Sequence, residues 1–434
     1  MFDWHVFAPQ GSLLLLAAVL MIVAERKQWR PSLLVVVVVA LALRGEMALV
    51  SYNIQPYDTF HYFFEVGRRV LAHQDLLNHK NDNPSLPGAM VSSGWSYLPV
   101  YAWPLGGMYW IAKHGILPWY LASKLAPIGA DTVVAVLVGK LTHPENNPAL
   151  RRFQYACNPA AILISSVHGQ VEPFCLMFAA AAALALRRQR PVAAGILLGL
   201  AIGSKTWPAL FLPALLLGAD SARARIKITV GAVAVPVLLF VTMPITTGAA
   251  WSSLGSDARV MEGYRSITGT WGWTAVLDKI RGIAPDPLFG QKLSPEQHRV
   301  GTMLMLLAVV VVLWRWRSAD SVTLMACLGS AFLVVTSGFG AQYLVWPMPF
   351  QTARPNRWTV PFHLVAGAYA GFGYLVLSQS GRLYTDYASS WYVGSAAVIA
   401  VLIGCMAATQ PGPRRTRPSR AAHRLVPAAP HGQS

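Results

Sequence analysis

The chain alternates between long apolar runs and short polar segments. The run from Pro31 to Val50 is long enough to span a bilayer, and similar runs recur along most of the sequence. A helix satisfies its own backbone hydrogen bonds in lipid, so the pattern predicts an all-α, polytopic transmembrane helical bundle of about 11–13 spans. The predicted spans are 9–25, 31–50, 118–139, 152–167, 171–187, 191–204, 207–218, 227–247, 299–314, 320–337, 341–353, 358–378 and 390–409.

Lysine and arginine give these spans an orientation. They cluster in short loops and in the C-terminal tail, and the positive-inside rule places such clusters in the cytoplasm. The N-terminus is then outside the cell and the C-terminus is cytoplasmic. We therefore predict one transmembrane domain over residues 1–410, with long outer loops at 51–117 and 248–298. A disordered, basic cytoplasmic tail follows over residues 411–434.

Two apolar segments need a separate interpretation. Residues 96–116 contain Pro99, Pro104 and a Gly-Gly pair, and counting them as a span would invert every later one, so we predict a re-entrant or interfacial helix on the outer face. The run 9–25 has the alternative of a cleaved signal peptide. Its leader lacks a basic n-region and no small-x-small cleavage site follows, so we predict a retained helix.

Composition supports a multi-pass plasma-membrane protein. Hydrophobic residues make up 54% of the chain and charged residues 12%, about half the charged share of a soluble domain. The net charge of +17 comes from the loop and tail clusters, with no basic helix interleaved with aromatic residues, which argues against nucleic-acid binding. The four cysteines lie in or beside apolar runs without C-x-x-C spacing, and we interpret them as buried free thiols.

The two long outer loops are rich in aromatic residues. Long connections are usually functional when they are not disordered. Tyr264, Trp271 and Trp273 lie in the second loop, and aromatic faces can stack on a sugar, so we predict that these three bind a glycan acceptor. The alternative is an interfacial aromatic belt, which forms where membrane meets water.

Asp58 is the strongest candidate for chemistry. It follows the span 31–50, in a polar segment that should lie at the outer surface of the membrane. Segment 59–73 is amphipathic, with Phe60 and Phe63 among the residues predicted to face lipid, and it would lie in the interface. A carboxylate held there could remove a proton from a hydroxyl group. The alternative is a surface charge that interacts with His61.

Further polar residues recur at the outer ends of the predicted spans. Polar groups in such positions are costly unless they are paired, hydrated or functional. A polar wall that binds a phosphate or sugar explains them, whereas a solvated turn, a snorkelling lysine and a helix cap are the plainer alternatives. The residues concerned are His168, Gln170 and Glu172 in HGQVE, Lys205 in an apolar stretch broken by Pro208, and Gln342 with Tyr343 after a glycine-rich turn.

No residue set predicts a required cofactor. His168 and Glu172 have an H-x-x-x-E spacing that could place both on one helical face, but neither has a further ligand at suitable spacing. The indication of a divalent metal is therefore weak and unsupported.

The order of these motifs resembles a known family. An Asp after an early span is followed by Tyr97-Leu98-Pro99, then by NP-x(8)-HGQ-x-E from Asn158 to Glu172. An R-x(6)-G-x(3)-G-x(5)-K-x-x-P segment and GFGAQYLVWPMPF come next, at 188–208 and 338–350. Over residues 31–410 this resembles the GT-C-type glycosyltransferases, and it is most similar to glycosyltransferase family 87, which includes the PimE-like mannosyltransferases.

The resemblance implies an activity and a set of roles. Family members take a sugar from a polyprenyl-phosphate donor at the extracytoplasmic face, with inversion, and deliver it to a glycolipid or glycan acceptor. Asp58 matches the family's general base, and His61, His168, Gln170, Glu172, Lys205, Gln342 and Tyr343 become donor-binding candidates. Mannose is the implied sugar, with arabinofuranose and glucose as alternatives. Glu172 stands where the family more often has Asp, and the span 9–25 precedes the family's usual start.

Two other functional classes fit a polytopic protein. A transporter or lipid flippase tends to have internal repeats and charges at the bilayer midplane, whereas this sequence shows no repeat and its polar groups lie at span ends. A non-catalytic scaffold would tolerate Asp58→Asn without loss of product.

Overall fold

A computed structural model describes residues 4–56, 58–76, 95, 97–263, 267–268, 271–282, 291–292, 294–377 and 388–411. About four-fifths of this part of the chain, 79%, is helical, so the predicted all-α, polytopic class is confirmed. In the described part, the strands are one antiparallel pair of two residues each, Ile267–Thr268 with Gln291–Lys292.

The α-helices are numbered here in chain order. They are α1 (Trp4–Lys27), α2 (Leu33–Val50), α3 (Phe64–Leu71), α4 (Ala102–Lys113), α5 (Trp119–Ala122), α6 (Leu125–Leu141), α7 (Pro148–Ala156), α8 (Pro159–Ile162), α9 (Glu172–Arg187), α10 (Pro191–Ser204), α11 (Leu212–Gly218), α12 (Ala222–Val241), α13 (Met243–Thr246), α14 (Leu254–Gly263), α15 (Gly272–Ile280), α16 (Pro295–Arg315), α17 (Ser321–Val335), α18 (Met348–Ala353), α19 (Thr359–Gly371) and α20 (Ala388–Ala408).

Shorter helical turns connect or extend these helices. Three are π-helical, which we call π1 (Asp58–Phe63), π2 (Leu163–His168) and π3 (Phe372–Leu377). The 3₁₀ turns are Pro144–Asn146, Trp207–Phe211, Trp251–Ser253 and Ala341–Val345.

Five helical segments of the described chain are long and apolar enough to cross a membrane. They lie in α1, α2, the α5–α6 pair, α12 and α16, and five further apolar helices of 10–17 residues accompany them. Several predicted spans are therefore shorter than a bilayer is thick. Span 152–167, for example, is broken between α7 and α8, where Asn158 caps the new helix with its side-chain oxygen on the N–H groups of Ala160 and Ala161.

Small residues allow the central helices to approach each other closely. Gly195 of α10 and Gly231 of α12 face each other, and a Cβ added to Gly231 would lie 2.8 Å from the carbonyl carbon of Gly195. Close backbone approach through small residues is the usual way in which helices associate in lipid. Lipid tails are as apolar as the helix surface, so the hydrophobic effect does not drive this association. Residues larger than glycine at these two positions would force the two helices apart.

A buried ion pair joins three helices inside the bundle. Arg44 of α2 and Asp131 of α6 are each at most 1% exposed, with 2.7 Å between Nη2 and the carboxylate. Tyr155 of α7 donates its hydroxyl to the same carboxylate at 2.8 Å, and Arg44 also donates to the carbonyl of Ala156. These charges are satisfied within the protein, as residues at membrane depth must be.

Side-chain contacts show which residues and helix termini lie at each end of the bundle. At one end basic residues meet acidic partners, as Arg151 does with Glu25 at 2.6 Å and Arg354 with Asp320 at 2.9 Å. The opposite end carries the C-terminus of α2, the N-terminus of α9 and the C-terminus of α10. The polar residues singled out in the sequence lie mostly at this second end, which positions the site described next.

The segment after Asp58 differs from its prediction. It is π1 followed by α3 rather than one regular amphipathic helix. Phe63 was predicted to face lipid, but it is 4% exposed and packs edge-on against Trp95 and Tyr101. A π turn holds more residues than an α turn, so the helical phase shifts and Phe63 rotates inward.

Candidate active site

Asp58 begins π1, and neighbouring segments anchor that turn. The hydroxyl of Thr59 donates a short hydrogen bond to the carbonyl of His168, and the indole of Trp119 donates to the carbonyl of Thr59 at 2.9 Å. The Asp58 side chain itself remains 43% exposed. The backbone next to the carboxylate is therefore held firmly while the carboxylate stays accessible.

The HGQ motif forms a tight turn between π2 and α9. Gly169 has a φ of +73°, which favours glycine, and an added Cβ would lie 2.7 Å from Cδ of Lys124. Lys124 runs beneath the turn and donates its ammonium to the carbonyls of Val167 and His168 at 2.8 and 2.9 Å. Both the conformation and the space at position 169 therefore require glycine.

The turn brings Gln170 between Asp58 and His168. Its Nε2 donates to Oδ2 of Asp58 at 2.8 Å and lies 2.7 Å from Nε2 of His168. Nδ1 of His168 is 2.7 Å from the hydroxyl of Tyr374. Asp58, Gln170, His168 and Tyr374 thus form a continuous hydrogen-bonded chain, which we call the Asp58 chain.

The surroundings of Asp58 favour its ionised form. Removal of water by the protein would raise the pKa of Asp58, but the hydrogen bond and charge that His168 supplies when it is protonated, the charge of Lys205 and the amide of Gln170 outweigh it. The net effect is a pKa below the ordinary value for aspartate. The carboxylate is therefore available as a proton acceptor at neutral pH.

Glu172 and Lys205 form a second polar group beside the Asp58 chain. Nζ of Lys205 donates to Oε1 of Glu172 at 2.6 Å, and the two side chains are 8% and 0% exposed. Lys205 has extended backbone between α10 and the next 3₁₀ turn, in agreement with the predicted helix break. Its ammonium also lies 5.3 Å from the ring centre of Tyr97 and 5.6 Å from that of Tyr343.

Two buried polar atoms next to this pair lack a hydrogen-bond partner within the described part of the protein. They are Oε2 of Glu172 and the hydroxyl of Tyr101, both on fully buried side chains. The Tyr101 ring packs edge-on against Phe174, two residues after Glu172. Burial, with a further contribution from the charge of Glu172, raises the pKa of Tyr101 well above its ordinary value. A buried acceptor beside a buried donor is an arrangement that water or a hydroxylated ligand can satisfy.

The remaining predicted residues have more varied surroundings. His61 lies on the same π turn as Asp58, and Gln342 precedes Tyr343 in the same 3₁₀ turn. Trp271 and Trp273 donate their indole N–H groups to the carbonyls of Leu333 and Val335, at the end of α17. The other predicted acceptor residue, Tyr264, and the tail from 412 onward lie outside the described residues.

The last backbone carbonyls of α17 explain where Trp271 and Trp273 lie. The last carbonyls of a helix have no intrahelical partner, and the indole donors satisfy two of them. Trp271 is 2% exposed and stacks on Phe339 with ring centres 4.0 Å apart. The contacts of Trp271 and Trp273 therefore fasten the segment that begins α15 to the end of α17.

Two residues of the site were not singled out from the sequence. Lys124 is a charged residue inside a predicted span, the same signal that identified Lys205, and the rule for intramembrane charges would have found it. Tyr374 lies among other aromatic residues near the end of the predicted span 358–378, and no sequence pattern distinguishes it. Its role becomes visible only from its contact with His168.

Metal ligands do not cluster in the described part of the chain. Among these residues, no three His, Cys, Asp or Glu side chains lie close enough to hold a metal ion. The site instead offers one accessible carboxylate, one neutral ion pair and several hydrogen-bond donors. These groups suit proton abstraction from a hydroxyl and recognition of polar ligands.

Comparison with known families gives one match. The model of glycosyltransferase family 87 matches residues 114–338, just over half of the 434-residue chain. The matched region includes His168, Gln170, Glu172 and Lys205, whereas Asp58 and Tyr374 lie outside it. No curated protein matched the chain in a sequence search.

Proposed function

Because the chain belongs to glycosyltransferase family 87, we propose that it transfers mannose from a polyprenyl-phosphate donor to a lipid-linked or glycan acceptor. In this proposal the reaction proceeds with inversion at the extracytoplasmic face of the plasma membrane, and Asp58 is the general base. The C-terminus is cytoplasmic. Family membership itself makes the protein a membrane glycosyltransferase.

The Asp58 chain is the observation that carries the proposal. A general base must be ionised, accessible and held in place. Asp58 is 43% exposed, its pKa is lowered, and Gln170 fixes one carboxylate oxygen at 2.8 Å. Gln170 also links it to the HGQ turn, which lies inside the region matched by the family model.

The proposed reaction has a single displacement step. The acceptor hydroxyl gives its proton to Asp58, and its oxygen forms a bond to the anomeric carbon of the sugar. The bond between that carbon and the phosphate oxygen breaks at the same time, and the electron pair leaves with the polyprenyl phosphate. The attack comes from the face opposite the leaving group, so the configuration inverts. A phosphate monoester is a good leaving group and needs no proton at this step.

The leaving phosphate needs donors and positive charge. The proposal assigns this task to Lys205, His168 and Gln342, and His168 contributes a donor and a charge to it only when its imidazole is protonated. Glu172 offsets the charge of Lys205, so we expect donor affinity to depend less on this lysine than it would on an unpaired cation.

Recognition of the sugar is proposed at the Glu172–Lys205 pair. Oε2 of Glu172 can accept a hydrogen bond from a sugar hydroxyl, and the Tyr101 hydroxyl can donate one. The rings of Tyr97 and Tyr343 flank the same ammonium and offer faces for stacking. We therefore place the donor sugar between the ion pair and Asp58.

A reconstituted transfer assay tests the proposed function. Purified protein in liposomes is incubated with labelled polyprenyl-phosphate mannose and a membrane lipid extract, and labelled glycolipid is followed by chromatography and mass spectrometry. We expect a labelled product from this donor. Product formed from polyprenyl-phosphate glucose or arabinofuranose alone would correct the sugar. Product formed from a nucleotide sugar alone, or unmodified donor crossing the bilayer without any product, would contradict the proposal.

The side of the membrane is tested with single cysteines. The four native cysteines are buried, so they give little background labelling. Ser256 and Gln189 are exposed and lie at opposite ends of the bundle. In intact cells, an impermeant thiol reagent should label Ser256→Cys and leave Gln189→Cys unlabelled until the membrane is opened. The reverse pattern would place the active site in the cytoplasm.

A further inference from the structure

Three π-helical turns meet at the candidate active site. π1 begins with Asp58, π2 ends with His168, and π3 contains Tyr374. π2 and π3 are in contact, and Thr59 of π1 bonds to the last residue of π2. π turns are rare and frequently mark functional positions in a helix. Here each of the three turns supplies one member of the Asp58 chain.

The positions of the protons along the Asp58 chain can be assigned one group at a time, starting from Asp58. An ionised carboxylate only accepts hydrogen bonds, so the group of Gln170 that lies 2.8 Å from it must be the amide N–H₂. The same nitrogen lies 2.7 Å from Nε2 of His168, which must then be an acceptor without a proton. In neutral imidazole the proton is therefore on Nδ1, and Nδ1–H donates to the Tyr374 oxygen at 2.7 Å.

The opposite arrangement is unfavourable at two places. If Nε2 of His168 carried the proton, it would face the N–H₂ group of Gln170 at 2.7 Å, donor against donor. Its distance of 3.5 Å from Oδ2 of Asp58 is too long to replace the shorter bond from Gln170. If the amide turned over, its oxygen would face both the protonated Nε2 and the carboxylate of Asp58, acceptor against anion. The Tyr374 oxygen accepts a hydrogen bond from Nδ1–H of His168 and so keeps Nε2 unprotonated. Gln170 can then keep an N–H directed at Asp58.

We propose that Tyr374 is a positioning residue for Asp58, acting through the tautomer of His168. This inference rests on the proposed role of Asp58 as general base. Tyr374 does not touch the reacting atoms. It holds His168 in the Nδ1–H form, His168 orients the amide of Gln170, and Gln170 holds the carboxylate in the ionised state that accepts the proton.

A phenylalanine at position 374 keeps the ring contact but loses the acceptor. The Tyr374 ring centre lies 5.0 Å from that of His168, in an edge-on arrangement that phenylalanine can retain. Nδ1–H of His168 would then lack its partner, and the Nε2–H tautomer would gain population. Gln170 could no longer serve both neighbours, so Asp58 would lose its donor without any loss of packing.

Nitrogen NMR measures the tautomer without any need for activity. The protein is labelled with ¹⁵N-histidine, and the His168 signals are those that disappear in His168→Gln. We expect Nδ1 protonated and Nε2 unprotonated in the wild type, with a shift toward Nε2–H in Tyr374→Phe. A wild-type His168 protonated on Nε2, or an unchanged tautomer in Tyr374→Phe, would overturn the proposal. This result stands whether or not the protein transfers the proposed sugar.

Kinetics provide a second, independent test. Tyr374→Phe should lower kcat by about tenfold, the effect of one hydrogen bond to a charged network, while KM for the donor stays unchanged. Tyr109→Phe is the matched control, because Tyr109 packs edge-on against Phe64, away from the Asp58 chain. In a His168→Ala background, the added Tyr374→Phe change should alter kcat by less than about twofold.

The variant that combines His168→Ala with Tyr374→Phe tests whether Tyr374 acts through His168. If the loss caused by Tyr374→Phe persisted in full without His168, Tyr374 would act by another route and the proposal would fail. If Tyr109→Phe caused an equal loss, the effect would belong to aromatic hydroxyls in general, and the proposal would also fail. Absence of transfer in the wild type would refute the proposed function, and the tautomer measurement would still decide this inference.

Discussion

The Glu172–Lys205 ion pair should be costly to break from either side. The two charged atoms are 2.6 Å apart, and the side chains are 0% and 8% exposed. Their attraction is about 6 kcal/mol at an effective dielectric constant of about 20, and desolvation of both charges offsets much of it. Removing one partner leaves an unpaired buried charge, which costs about 3–5 kcal/mol. We expect this loss of unfolding free energy in both Glu172→Gln and Lys205→Met.

The double variant separates structure from donor binding. Glu172→Gln with Lys205→Met removes both charges, so stability should return to within about 1–2 kcal/mol of the wild type. If Lys205 also contacts the donor phosphate, the double variant should fold normally and still bind the donor weakly. Unfolding is followed by denaturant titration of the purified protein in detergent, and donor binding is measured on the same samples.

A partly exposed carboxylate provides the control. Glu65 pairs with Arg68 at 2.7 Å and with Arg69 at 2.9 Å, and its own side chain is 27% exposed, whereas that of Glu172 is 0% exposed. Glu65→Gln should therefore cost only about 0–1 kcal/mol, although the substitution is chemically the same as at position 172. If Glu172→Gln were no more destabilising than Glu65→Gln, the argument that Glu172 and Lys205 form a buried pair would be refuted.

Three further substitutions test separate parts of the site and fold. Gly169→Ala should lower the unfolding free energy by about 1–3 kcal/mol because of the left-handed backbone at φ +73°, and wild-type stability would contradict this. Gln170→Ala removes a donor to Asp58 and raises its pKa, so the acidic limb of the transfer–pH profile should move to higher pH, and superimposed profiles would count against it. Asp320→Asn removes the carboxylate that accepts two bonds from Arg354, at 2.9 and 3.0 Å, so it should lower the unfolding free energy by about 1–2 kcal/mol, and wild-type stability would contradict this.

The helical class and most helix positions follow from the apolar pattern, but the breaks in the helices do not. Predicted spans 191–204 and 320–337 agree with α10 and α17 to within a few residues. Span 152–167 instead became α7, α8 and π2. π turns insert extra residues without a sequence signal as strong as proline, so neither π1 nor the inward rotation of Phe63 was foreseen.

Polar residues in apolar surroundings identified much of the site, but not their partners. The cost of burying such groups singles out Lys205 and Glu172, and it applies equally to Lys124, Arg44 and Asp131. Arg44 and Asp131 pair with each other in the bundle interior and so have a structural explanation. The pairing of these charges depends on how helices far apart in sequence pack together. Local patterns in the sequence do not show that packing.

Residues with no unusual chemistry in sequence are the hardest to find. Tyr374 is one aromatic residue among many near a membrane surface, where tyrosine is common. Trp271 and Trp273 show the opposite case. Their aromatic character predicted that they bind a glycan acceptor, whereas in the structure their N–H groups bond to the end of α17. In each case the hydrogen-bond partner, rather than the residue type, indicates the role.

Asp58→Asn tests the central claim most directly. Asparagine keeps the size of the side chain and most hydrogen bonds but cannot accept the proton of the acceptor hydroxyl. We predict that sugar transfer falls by about 10²–10⁴-fold, while unfolding free energy and donor affinity stay close to wild type, since the side chain is partly exposed. Asp220→Asn, at the opposite end of the bundle, is the control and should transfer normally. Transfer at the wild-type rate by Asp58→Asn would contradict the account and remove Asp58 as the general base.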